Sequence, residues 1–112
     1  MTDELYSFRE SSLFTRRVLK LLSDDEYAEL QGYLQDFAES GAVIVGGGGL
    51  RKMRWQAQGR GKRGGLRVIY YVADAYGYIY LVGIYAKNEK SDLTRQEVQD
   101  LRRLVEEWDD DE

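Results

Sequence analysis

Two adjoining runs, Leu66–Ala73 (LRVIYYVA) and Tyr78–Tyr85 (YIYLVGIY), are apolar at nearly every position and are separated only by Asp74-Ala75-Tyr76-Gly77. A strand sends successive side chains to opposite faces, so a run without alternation is apolar on both. Strands of that kind belong in the middle of a sheet. Ala75-Tyr76-Gly77 is predicted to make the hairpin turn between them. The segment Leu50–Trp55 behaves differently: Lys52 and Arg54 fall on one face and Met53 and Trp55 on the other. Met53 and Trp55 are predicted to be core, and Lys52 and Arg54 to be presented to solvent or to a ligand. Leu5–Phe8 is predicted as a short edge strand.

Helices flank this strand-rich centre. Ser11 or Ser12 caps a short helix bearing Leu13, Phe14, Val18, Leu21 and Leu22. Ser23-Asp24-Asp25-Glu26 has capping-box spacing, in which hydroxyl and carboxylate satisfy each other's backbone donors. Tyr27, Leu30, Leu34 and Phe37 then recur at steps of three and four, one apolar stripe, with Gly41 as the expected stop. The two helices are expected to form a hairpin covering one face of the sheet. Thr94 to Glu97 is a second capping box. It opens a last helix with Leu101, Leu104, Val105 and Trp108 on one side, and Asp109–Glu112 is expected to be a solvated tail. The tetraglycine Gly46–Gly49 lacks the Gly-Lys-Ser or Gly-Lys-Thr of a phosphate-binding P-loop, so it reads as a flexible lead into the sheet. Together these elements predict an α+β fold, one domain over residues 1–112.

Composition closes off several chemistries. The chain has no cysteine, proline or histidine. That excludes a disulfide scaffold or thiolate metal site, and leaves only carboxylates for a transition metal, so neither metal nor cofactor is expected. An apolar fraction of 43% suits a globular protein. No run approaches the ~18 residues of a membrane span, and MTDELYSF lacks a secretory pattern. The expected setting is the cytoplasm.

Charge is segregated. Between Glu39 and Asp74 there is no acid, yet there are seven basic residues: Arg51, Lys52, Arg54, Arg60, Lys62, Arg63 and Arg67. The rest of the chain holds nine basic and twenty acidic residues, for a net charge of −4. A local positive field on an acidic protein attracts a polyanion at short range, and interleaved glycines and aromatics point to nucleic acid. Lys52, Arg54 and Arg67 should meet Lys87 and Lys90, from the loop after the last strand. The loop Gln56–Gly65 (QAQGRGKRGG) could wrap a sugar-phosphate backbone through Arg60, Lys62 and Arg63. Tyr70, Tyr71, Tyr78 and Tyr80 read as core or cross-strand partners rather than stacking platforms.

Binding a phosphodiester needs only cations. Cleaving RNA also needs a base for the 2′-hydroxyl, charge stabilisation at phosphorus, and an acid for the leaving 5′-oxygen. Without histidine, Lys52, Lys87, Tyr85 or Glu89 would have to move protons. Arg54 and Arg67 would stabilise charge, since arginine stays protonated and grips phosphate bidentately.

GGLRKMRW (48–55), GKRGGLRVIYYV (61–72) and YLVGIYAKNEKSDLT (80–94) together closely resemble the HigB branch of the RelE toxin family. The resemblance spans residues 46–108. It implies a small antiparallel sheet with an N-terminal helical hairpin and a C-terminal helix. It also implies a metal-independent endoribonuclease that cuts mRNA in the ribosomal A site and halts translation. The implied partners are the ribosome with its mRNA and a HigA-type helix-turn-helix antitoxin, operator DNA being reached only through that antitoxin. Carried onto this chain, the family's basic pair falls on Lys52 and Arg54, its arginine after the glycine loop on Arg67, and its closing cationic loop on Lys87–Lys90. Asn88 stands where that loop has an arginine, and Thr94 where a catalytic tyrosine occurs, so Lys87, Lys90 or Tyr85 would take over. Arg51, Arg60, Lys62, Arg63 and Asn88 are the further expected RNA contacts. Two other readings share these residues: a gyrase inhibitor of the ParE type, and a non-catalytic RNA-binding domain.

Overall fold

The two apolar runs lie at the centre of a five-stranded sheet, as β4 (Leu66–Ala73) and β5 (Tyr78–Ala86), joined through a 3₁₀ turn at Asp74–Tyr76. The computed structural model describes residues 5–56 and 65–111, with side chains through Trp108. Before β4 come β1 (Ser7–Glu10), α1 (Ser12–Leu21), α2 (Asp24–Asp36), β2 (Ala42–Val43) and β3 (Arg51–Trp55). After β5 comes α3 (Arg95–Asp111). The spatial order is β1-β5-β4-β3-β2, and all pairings are antiparallel except β1 with β5. The sheet is therefore mixed rather than wholly antiparallel. The first strand begins at Ser7, two residues later than the sequence suggested, because its pairing partners on β5 start at Tyr78.

Each face of the sheet has its own core. Leu66, Val68 and Tyr70 of β4 join Met53 beneath Phe14, Val18, Leu30 and Leu34 of the helical hairpin. Ile69 and Ala73 face the other way, with Leu101 and Val105 of α3. Tyr70 and Tyr80 are wholly buried, as expected of core tyrosines.

Simple alternation along β5 would send Ile79, Leu81, Gly83 and Tyr85 to one face. Instead Ile79, Leu81 and Ile84 pack under the hairpin, while Tyr80, Val82 and Tyr85 pack on the α3 side. Register explains the inversion. Ile69 pairs with Gly83 but Tyr70 pairs with Leu81, leaving Val82 as an extra residue in a β-bulge. The bulge flips the pleat and brings Tyr85 round to the face that carries Arg67.

The capping boxes form. Ser23 Oγ accepts from the Glu26 N–H at 3.1 Å, and the Glu26 carboxylate accepts from the Ser23 N–H at 2.8 Å. Ser11 caps α1. Four expectations are corrected. The second helix ends at Asp36, well before Gly41, and Phe37 is 54% exposed rather than part of the stripe. Gly41 is required for another reason: a Cβ there would lie 2.6 Å from the Tyr70 hydroxyl, which accepts the Gly41 N–H. The tetraglycine is a defined turn, and at Gly49 (φ +105) a Cβ would lie 2.7 Å from the Tyr71 ring. The terminal acidic run extends α3 as far as Asp111 instead of forming a tail. Among the described residues, no helix is long and apolar enough to cross a membrane.

β1 leaves β5 after Leu81, and α1 takes over that edge. Ser11 donates its hydroxyl to the Val82 carbonyl at 2.7 Å, and Arg17 Nε donates to the Ile84 carbonyl at 2.9 Å. Because Ser11 also caps α1 through the Phe14 N–H, Ser11→Ala removes two buried hydrogen bonds. It is expected to destabilise the fold by about 1–3 kcal/mol, seen as a lower urea midpoint with unchanged m-value.

Candidate nucleic-acid interface

Strand pairing assembles the site. Arg54 stands opposite Arg67 across β3 and β4, Arg67 stands opposite Tyr85 across β4 and β5, and Lys52 lies one step along, opposite Ile69. Lys52, Arg54, Arg67 and Tyr85 therefore share one end of the face whose other end α3 covers. The chain between β5 and α3 then crosses this end, carrying Lys87, Lys90 and Asp92.

Arg54, Arg67 and Lys87 converge on a hollow of about 310 Å³, completed by Trp55, Gln56 and Gly65. No carboxylate lines it among the described residues. Arg67 forms the buried floor at 7% exposure, whereas Arg54 and Lys87 are exposed at the rim. Gly65 has φ +65, and a Cβ there would sit 3.1 Å from the Trp55 carbonyl oxygen, so the backbone approaches here as only glycine permits. Fixed cations around an open hollow suit a phosphate group of a larger anion.

Lys52 is paired. Its Nζ lies 2.8 Å from Asp92 Oδ1, which also accepts the Leu93 N–H at 2.8 Å. The Lys52 ammonium first, then the Leu93 N–H, hold the Asp92 carboxyl below the usual range. Lys52 and Asp92 also line a second cleft, of about 660 Å³, that runs between β2 and the start of α3.

Tyr85 is 6% exposed, and its hydroxyl is buried without a hydrogen-bond partner among the described residues. Burial first, and then the Asp92 charge, push its pKa up against the opposing pull of Arg67. The phenol keeps its proton at neutral pH. It can donate that proton but is poorly suited to abstract one.

The remaining expected residues are dispersed. Lys90 pairs with Glu97 and lies 5.7 Å from the Tyr85 ring centroid, at the margin of the site. Glu89 turns away, binding Arg17 and the Ala86 N–H, instead of meeting Lys87 or Lys90. The Ala86 N–H foremost, with Arg17 next, lowers its pKa and makes it a weak base. Asn88 is exposed in the turn after β5. Arg51 points to the opposite face, where its guanidinium donates to the Glu39 and Gly41 carbonyls at 3.0 and 2.8 Å. Strand alternation separates it from Lys52, and its bonds tie β3 to the chain after α2. Thr94 caps α3. Arg60, Lys62 and Arg63 lie outside the described residues. Sequence reasoning missed Asp92, whose signal was an acid inside the same cationic loop, KNEKSD.

Since the folded protein holds Asp92 ionised more firmly than a free chain would, its contribution to stability is present at neutral pH. It is lost as pH falls through the lowered folded-state titration. Lys52→Ala removes the first cause, so the Asp92 carboxyl is expected to titrate closer to the ordinary carboxylate range, as read by ¹³C NMR. An unmoved midpoint would contradict the pairing.

The comparisons with known proteins agree with this architecture. A family model described as the RelE toxin of the RelE/RelB toxin–antitoxin system matches residues 21–111. A solved structure of the E. coli toxin RelE, a double arginine-to-alanine mutant in the free state, is similar with a TM-score of 0.55 and 15% identity. The match covers 78% of this chain and 88% of that one.

Proposed function

We propose, for a chain that belongs to the RelE toxin family, that it is the toxin of a toxin–antitoxin pair and acts as an endoribonuclease on translating mRNA. The observation that carries this reading is the hollow of Arg54, Arg67 and Lys87, free of carboxylates among its lining residues, with Tyr85 paired beside Arg67 in the sheet. The gyrase-inhibitor reading has no comparable support, because it makes no use of this cationic hollow.

In this mechanism the scissile phosphate enters the hollow. The 2′-oxygen attacks phosphorus, the bond to the 5′-oxygen breaks, and a cyclic 2′,3′-phosphate is left. Arg54 and Arg67 grip the non-bridging oxygens and stabilise the charge that builds there. Lys87 closes the rim. The proton taken by the departing 5′-oxygen is assigned to Tyr85, which holds its proton at neutral pH, with transcript binding uncovering the buried hydroxyl. No metal enters the scheme. Glu89 and Lys52 are engaged in ion pairs, Lys87 is assigned to the rim and Tyr85 to the acid, so deprotonation of the 2′-hydroxyl rests on the surroundings of the bound transcript. On the ribosome, a bent and fixed codon would present the 2′-oxygen in line. Such positioning is worth up to ~7–11 kcal/mol, more than a single proton-transfer group contributes. A HigA-type antitoxin would hold the toxin inactive.

A translation extract programmed with a defined mRNA tests this reading, followed by primer extension. Wild-type protein should give shortened cDNAs ending within codons, and only when ribosomes are present. Undamaged transcripts with undiminished protein synthesis would remove the proposal. Arg54→Ala and Lys87→Ala alter exposed side chains, and each is expected to slow single-turnover cleavage by about 100-fold without changing the melting temperature. Tyr85→Phe removes a hydroxyl that has no partner among the described residues. It should leave stability unchanged or slightly higher while cleavage falls about 10- to 100-fold.

A further inference from the structure

We infer that Lys52 is a second phosphate subsite, next to the Arg54–Arg67–Lys87 hollow, and that Asp92 occupies it in the free protein as an internal stand-in for an RNA phosphate. The inference rests on the RNA-directed reading above and adds to it a position, an occupant and a competition.

Lys52 and Arg54 are two residues apart on one face of β3, a separation of roughly 6.6 Å along a strand. That spacing is comparable with the distance between neighbouring phosphates of an extended single strand. A backbone with one phosphate in the hollow would therefore bring the next one to Lys52. The hollow has no carboxylate among its lining residues, whereas at Lys52 the Asp92 carboxylate is already in hydrogen-bond contact at 2.8 Å. Asp92 is not buried core chemistry: its side chain is 61% exposed and Lys52 is 31% exposed. The pair lines the open cleft of about 660 Å³, so a strand can approach it from solvent. Among the described residues, Arg67 and Tyr85 also feel the Asp92 charge.

The neighbouring pairs follow the same pattern. Glu89 holds Arg17 and Glu97 holds Lys90, so the segment from β5 into α3 supplies the acid of three ion pairs. Of these pairs only Lys52–Asp92 includes a strand residue of the cationic face. RNA arriving there exchanges one ion pair for another. The protein therefore gains little affinity from Lys52 until a phosphate displaces the carboxylate.

The test is the affinity of the full chain for a short 2′-O-methyl RNA, which cannot be cleaved, measured by fluorescence anisotropy over a range of salt. Asp92→Asn should tighten binding by about 2- to 5-fold, the size of one exposed ion pair. It should also steepen the salt dependence by about 0.7 in log–log slope, for one newly uncompensated phosphate contact. In a Lys52→Ala background the same substitution should change neither quantity. Unchanged or weaker binding by Asp92→Asn would overturn the proposal, since it would make Asp92 a bystander or a support that positions Lys52. As an independent check on the unaltered protein, RNA binding should raise the Asp92 carboxyl titration, read by ¹³C NMR. If it stays where the free protein has it, Asp92 has not been displaced and the proposal falls. If Arg54→Ala and Lys87→Ala also leave RNA affinity untouched, the RNA reading itself fails along with this one, an outcome distinct from the failure of Asp92 alone.

Discussion

The β-bulge at Val82 is the constraint on which the rest of the molecule turns. A strand packed on both faces has no freedom to choose which side chains go where, because one step of register exchanges every one of them. β5 resolves the conflict by changing sides halfway. Its first half gives Ile79 and Leu81 to the helical hairpin and Tyr80 to α3, and its second half gives Ile84 to the hairpin and Tyr85 to the cationic face. Without the extra residue, Tyr85 would be buried under the hairpin and Ile84 would stand among arginines. Gly83 sits beside the bulge, where Leu101 and Ile69 come close. The same local irregularity thus serves the packing of α3 and the composition of the site.

Much of this architecture is legible in the residues. The doubly apolar runs place β4 and β5 at the centre, and the alternation of Lys52-Met53-Arg54-Trp55 assigns faces correctly, because period-two patterning directly reflects side-chain direction. The two capping boxes and both α-helical flanks were readable because their hydrogen bonds are local. Several of the failures concern contacts that are distant in sequence. Gly41 looked like a helix stop, but its constraint is the Tyr70 hydroxyl, on a strand far along the chain. β2 is a two-residue strand whose identity exists only through its pairing with β3. A bulge leaves almost no trace beyond a glycine inside a strand.

The site shows the same division. That Lys52, Arg54 and Arg67 lie together follows from strand register, and charge clustering along the chain announced it. Arg51 belongs to the same run but is removed by the pleat, and its guanidinium satisfies two backbone carbonyls instead. Counting basic residues cannot make that distinction, whereas alternation can. Asp92 was invisible to charge counting for the opposite reason. It lies outside the acid-free stretch and reaches Lys52 only because the chain after β5 doubles back over the sheet.

Histidine's absence gives the site its character. Imidazole can lend and take a proton near neutral pH, and nothing here combines those abilities. The buried phenol of Tyr85 holds its proton, and the nearby carboxylates of Glu89 and Asp92 are made weaker bases by the donors they bind. What remains is a rigid arrangement of positive charge on paired strands. Such an arrangement stabilises a developing phosphorane without choosing when it develops. On the proposed reading, timing and alignment come from the ribosome, which fixes the codon while the toxin supplies the field. On the same reading, a toxin built this way would leave free RNA largely untouched and would become active where translation presents its substrate. Its harm is therefore confined to the process it arrests, which a stronger acid–base pair would not ensure.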